Sequence, residues 1–243
     1  MRTLLTRVAI AALVVPSSIV LLGGPASASH STATYRVTIT NLTTSQPLSP
    51  PVVATHRPWV TLFRVGRPAS DELAAIAQAG DQVPLATALA DNRRVTDVVD
   101  VGRPLTRSGT TTGGFSDTAD LQITGAPGDR LSLATMLICT NDGFTGLDRI
   151  RLPRHGSAAQ VLVAYDAGRE DNTERSGDLV DPCSALGPVE LAGDPNGNDD
   201  VGPATEPRGR IAPHRGISGA ADLDRAEHGW QEPVAVVTVT RVG

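Results

Sequence analysis

The chain has 243 residues, a formal charge of −5 and only 3% aromatic residues. That balance disfavours nucleic acid and anionic membranes as partners unless a cation mediates, and leaves Val, Leu, Ile and Ala to build a core. All 21 basic residues are arginine, which excludes Schiff-base and lysine-assisted phosphate chemistry.

The first element in chain order is an export signal. Arg2 and Arg7 supply a positive start, 8–22 is almost wholly apolar, and Ala26-Ser27-Ala28 is a small-residue cleavage pattern. Cleavage is expected after Ala28, leaving 29–243 as a single secreted domain. Pro16, Ser17 and Ser18 interrupt the apolar run, against a membrane anchor, and no later stretch reaches the roughly 20 apolar residues of a transmembrane helix.

The segment 35–40, YRVTIT, alternates, with Tyr35, Val37 and Ile39 expected to face inward. A second strand is expected over 59–65. Ser70 then caps a helix with Asp71 and Glu72 in its first turn, Leu73, Ile76 and Ala77 on one face, and Gly80 as its stop. A shorter helical piece follows over 83–91, and 91–114 reads as a polar loop. Further strands are expected over 119–123, 131–139, 160–166 and 234–242, with the Gly125-Ala126-Pro127-Gly128 turn between the first two. The stretch 184–229 lacks periodicity and reads as a long loop, which in a compact domain is either functional or partly disordered. Buried first and last strands with few helices between them predict an all-β antiparallel sandwich carrying one or two short helical insertions.

Cys139 and Cys183 are the only cysteines. In an exported chain an even pair predicts a disulfide; thiolate metal ligation is the alternative, and no Cys or His stands nearby at zinc-like spacing. The strand 131–139 runs into Asn141-Asp142-Gly143, and 160–166 ends at Asp166-Ala167-Gly168, followed by Glu170 and Asp171. If the two strands are neighbours, the connection decides whether their ends share a rim. Carboxylates that converge repel unless a cation sits among them. Calcium, which accepts six to eight oxygens in loose geometry, suits such a rim better than magnesium. On spacing alone, Asp142 and Asp166 equally suit ordinary turns. The 194–200 stretch has alternating oxygen side chains, but Asp199 stands where a calcium loop needs glycine and Thr205 where it needs a bidentate glutamate. It reads as a polar turn.

Among the histidines, His214 makes the best enzymatic case: an exported hydrolase using His214 with Ser184 or Ser218. Gly216-Ile217-Ser218-Gly219 approaches a nucleophile elbow, but Ala220 stands where that motif requires glycine. No zinc-protease, phosphate-loop or dinucleotide motif is present.

The 131–148 run followed by Tyr165-Asp166-Ala167-Gly168 resembles the spondin domain, the amino-terminal module of F-spondin and mindin. In that family an apolar strand leads into an aspartate followed by an aromatic residue, here Asn141-Asp142-Gly143-Phe144 with one extra glycine. A second strand ends in aromatic–Asp–Ala–Gly–Thr–Asp, where this chain has Arg169-Glu170 in place of the last two. The first and last strands are also similar. The resemblance implies a sandwich of the calcium- and lipid-binding type, one bound calcium, and a role in extracellular adhesion. Asp142, Asp166 and Glu170 match the family's acidic positions, and Asp120 is a further match for a ligand position. The thrombospondin-type repeats of the animal relatives are missing, so their partners do not carry over. The expectation is a secreted, calcium-binding, non-catalytic recognition or adhesion module with a protein or glycan ligand. Besides the hydrolase, the alternative is a domain that binds lipid headgroups through a calcium bridge.

Overall fold

Alternation of apolar and polar side chains governs the first strand. In β1 (Ala33–Asn41), Tyr35, Val37 and Ile39 are buried, while Arg36 between them is exposed, the two-residue period of a strand with one wet face. The computed structural model describes residues 32–189 and 209–243. The expected export signal at 1–28 and the turn at 194–200 lie outside the described residues.

The chain continues through β2 (Val52–His56), helices α1 (Asp71–Ala79) and α2 (Val83–Ala90), and β3 (Val95–Asp100). A small hairpin of β4 (Thr111–Thr112) and β5 (Phe115–Ser116) precedes β6 (Thr118–Gly125), β7 (Arg130–Met136) and β8 (Gly143–Arg151). Then come β9 (Ser157–Leu162), β10 (Ala164–Asp166), α3 (Pro182–Leu186), β11 (Ala212–Pro213), α4 (Arg225–His228) and β12 (Ala235–Arg241). Two antiparallel sheets result, in the orders β6-β1-β12-β9 and β11-β10-β8-β7-β2-β3. The chain is therefore the antiparallel β-sandwich that its sequence predicts.

One core fills the space between the sheets, built from side chains such as Val37, Ile39, Val53, Leu133, Val237 and Val239. A second lies outside the larger sheet, where Leu73 and Ile76 of α1 and Leu85 and Leu89 of α2 cover Ala54, Met136 and Phe144. With both faces covered, β2 is buried at all five positions, the pattern of a strand between two apolar layers. Helix α1 begins and ends as read. The Ser70 hydroxyl accepts from the Leu73 N–H at 3.3 Å, and Gly80 closes the helix at φ 63°. The Cys139–Cys183 disulfide is present and anchors a third apolar cluster with Ile138, Leu179 and Leu223.

Four expectations are corrected. The 59–65 segment is not a strand; its Val60, Leu62 and Phe63 drop into the outer core as irregular chain. The 91–114 stretch carries β3 and β4 rather than loop alone. The 143–151 stretch, expected as connection, is the full strand β8. Its Gly146 fits because a β-carbon there would lie 2.3 Å from the Leu133 carbonyl oxygen. Finally, 160–166 is not one strand. At Val163 the chain leaves β9 in the smaller sheet and enters β10 in the larger one.

Candidate functional site

The crossing at Val163 brings the two aspartate motifs together. Gly143 pairs with Asp166 in antiparallel register, so the residue before β8 and the residue after β10 meet at one rim. There the Ala167 N–H donates to the Asp142 carbonyl at 3.1 Å. The turn into β8 is closed by Thr140, whose hydroxyl donates to the Leu137 carbonyl at 2.7 Å and accepts from the Gly143 N–H at 2.9 Å. Gly143 is required here, since a β-carbon would sit 2.4 Å from that hydroxyl oxygen.

Asp142 is fully buried. Its Oδ2 accepts the backbone N–H groups of Arg169 at 2.6 Å and Glu170 at 3.1 Å. Its Oδ1 has no hydrogen-bond partner among the described residues. Burial, and then the charge of Asp166, push the Asp142 carboxyl up to about 7 against the opposing pull of those two N–H groups. Asp166 caps its own turn through Oδ1, which accepts from the Gly168 N–H at 2.7 Å, while Oδ2 accepts from the Asn172 amide at 2.7 Å. Gly168, at φ 68°, allows the 209–210 backbone to approach so closely that a β-carbon would fall 2.6 Å from it. Glu170 is buried beside them and accepts from the Gln78 amide of α1 at 2.6 Å. Arg169 turns away to Asp71, with an N–O distance of 2.8 Å.

Asp142, Asp166 and Glu170 thus share one rim. Asp171 follows them in sequence but is exposed. Asp120 does not join them: it lies on β6, the far edge of the smaller sheet from β9, where it accepts the Thr38 hydroxyl. Among the described residues, no set of three or more His, Cys, Asp or Glu side chains is grouped as a metal site. The rim offers one carboxylate oxygen without a hydrogen-bond partner among the described residues and a second carboxylate, rather than a closed cage of side chains.

Two residues that the sequence did not single out as part of this rim complete its surroundings. Glu174, held at φ 56°, accepts the N–H groups of Ser218 at 2.6 Å, Gly219 at 2.8 Å and Ala220 at 2.9 Å. Burial raises its carboxyl, but these donors, with the Ser218 hydroxyl, outweigh it and leave the group below its ordinary value. Only the positive φ of a non-glycine residue marks it, and that is not visible in sequence. Trp230 packs on His214 with ring centroids 5.0 Å apart. His214 Nδ1 accepts the Gly216 N–H at 3.0 Å, and Nε2 has no hydrogen-bond partner among the described residues. Burial lowers the imidazole's affinity for a proton, against the nearby charges of Asp166 and Glu174. The Ser218 hydroxyl serves Glu174, and Ser184 lies in α3 next to Cys183. No family model matches this chain, and no curated protein matches its sequence.

Proposed function

We propose that this chain is a secreted, non-catalytic recognition module whose Asp142 rim holds one calcium ion. The observation that carries the reading is the fully buried Asp142 carboxylate, one oxygen of which has no hydrogen-bond partner among the described residues. A buried acceptor left unmatched is costly, and a second carboxylate beside it adds repulsion. A divalent cation removes both penalties at once. Asp142 and Asp166 would hold it, with Glu170 and backbone carbonyls as further oxygen donors, and water completing the six to eight that calcium takes. Its role would be to stiffen the two turns and present a fixed edge to a protein or glycan. The likeness to the spondin domain in these same motifs supports this assignment. The acidic overall charge argues against nucleic acid as the partner.

A proton on Asp142 is the competing solution to the same problem, and one experiment separates the two. Thermal unfolding at pH 8 is compared in EDTA and in excess calcium. At 100-fold over the dissociation constant, the ion stabilises the fold by about 2.7 kcal/mol, a rise of about 5–10 °C for a domain of this size. Asp142→Asn should lose that rise. A midpoint indifferent to calcium in the unaltered protein overturns the metal reading and leaves a proton, held below about pH 7, as the compensation for burial.

A further inference from the structure

A second feature lies beside His214, between the 215–217 and 225–231 stretches. Arg215 and Arg225, both exposed, line a cleft of about 480 Å3 together with Trp230, Leu42, Thr44 and Gln231. Among the described residues, no Asp or Glu lines it, although acidic residues outnumber basic ones in the chain. The ion pairs among the described residues join Arg57, Arg149 and Arg169 to Asp129, Asp148 and Asp71, so neither cleft arginine is ion-paired among the described residues. Of the carboxylates nearest in sequence, Glu227 is exposed and three others accept backbone N–H groups. Asp224 accepts the Ala226 N–H at 2.6 Å, Asp222 accepts the Ser176 N–H at 3.0 Å, and Glu232 Oε1 accepts both the Ala164 N–H at 2.9 Å and the Trp230 indole N–H at 3.3 Å, which fixes the indole's edge.

The walls are also fixed in advance. Gly216 is tied to the His214 ring at 3.0 Å, and Ile217 is buried. Glu174 clamps 218–220, and the Gln46 side-chain amide donates to the His228 carbonyl at 2.7 Å, next to Gly229 and Trp230. Two guanidinium forks on a braced backbone suit an oxyanion, which arginine can bind through two parallel hydrogen bonds. The indole and Leu42 add an apolar wall, and Thr44 and Gln231 add neutral hydrogen-bonding groups. The volume falls in the range of small-molecule sites, about 300–1,000 Å3.

We propose that this cleft binds an acidic sugar, with Arg215 and Arg225 on its carboxylate or sulfate and Trp230 against the ring. The cleft extends the recognition reading but does not depend on the Asp142 rim. The test is a titration followed by Trp230 fluorescence in a Trp59→Phe background, since the chain has two tryptophans and Trp59 is 68% exposed. Glucuronate, glucose 6-sulfate and glucose are added into the millimolar range, in calcium and again in EDTA. At least one anionic sugar should bind ten-fold or more tightly than glucose, in both conditions, and the two anions report whether carboxylate or sulfate is preferred. The Arg215→Gln/Arg225→Gln double variant should weaken that sugar ten-fold or more with an unchanged thermal midpoint. Equal response to all three sugars, no response to any, or full binding by the folded double variant overturns the proposal. Loss of binding in EDTA alone overturns its independence from the metal.

Discussion

Two carboxylates with opposite surroundings pull the metal-free protein's stability in opposite directions as pH changes. The Asp142 carboxyl, raised to about 7 by burial and by Asp166, keeps a proton that the unfolded chain releases near pH 4. Folded protein therefore binds more protons between about pH 4 and pH 7, and stability falls as pH rises through that window, by at most about 1.4 kcal/mol per unit. Glu174 acts in the other direction. Its carboxyl is held low by the 218–220 N–H groups, so its contribution is present above the unfolded value near 4.5 and is lost as pH falls through the folded one. From these two groups, the stability maximum in EDTA should lie at about pH 4, where the Glu174 window ends and the Asp142 window begins. In Asp142→Asn it should move toward neutral pH, as urea denaturation across pH will show; a maximum that stays put refutes the Asp142 shift. Glu174→Gln should cost about 1.5–3 kcal/mol at pH 7, and the difference from the unaltered protein should shrink below about pH 4. Calcium, if it binds at Asp142, competes with the proton. Its thermal increment should accordingly be larger at pH 8 than at pH 6.

Among the elements, the β10 crossover decides the site. Had β9 run on through Asp166 in the smaller sheet, that carboxylate would have followed the β12 edge and missed Asp142. Leu162 instead pairs with Ala235, and Ala164 pairs with Thr145 of β8. A related device sits at the other end, where Thr140 and Gly143 close the turn that aims Asp142. Gly143→Ala pushes a methyl to 2.4 Å from the Thr140 oxygen, and should cost about 1–3 kcal/mol by overpacking. A urea midpoint equal to that of the unaltered protein would show that the turn relaxes freely. The periodic elements were legible in the sequence: β1, β6, β12 and α1 follow from alternation or from caps. The acidic motifs were legible as motifs, and their convergence was not. Strand β8 was hidden because Gly146 and Asp148 read as loop residues, whereas Gly146 answers a backbone contact and Asp148 accepts the Leu62 N–H at 2.8 Å. The Val163 switch carries no local mark either, since QVLVAYD is as good a continuous strand as a broken one. Arg215 and Arg225 share one cleft, and Glu174 braces the 218–220 turn, only through contacts between residues far apart in sequence.

At the scale of the whole molecule, the disulfide and the rim belong to one mechanical loop. Cys139 and Cys183 are 44 residues apart, and the segment they close contains β8, β9 and β10 with both rim aspartates. On the chain-entropy account, a loop of this length contributes about 4 kcal/mol by restricting the unfolded chain. The folded rim does not depend on it for position, because Asp142 grips the 167–170 turn through three backbone hydrogen bonds of its own. Cys139→Ser/Cys183→Ser should therefore lower the thermal midpoint by about 8–16 °C, at about 2–4 °C per kcal/mol for a domain of this size. Calcium should still raise the variant's midpoint by the same increment as in the unaltered protein. The opposite result, an intact midpoint with the calcium increment gone, would mean that the covalent tie shapes the folded rim rather than the unfolded ensemble. Differential scanning calorimetry of both proteins, each with calcium and with EDTA, separates these outcomes. The effect of the tie on the unfolded state appears in the metal-free pair, and its effect on the rim appears in the difference made by the ion.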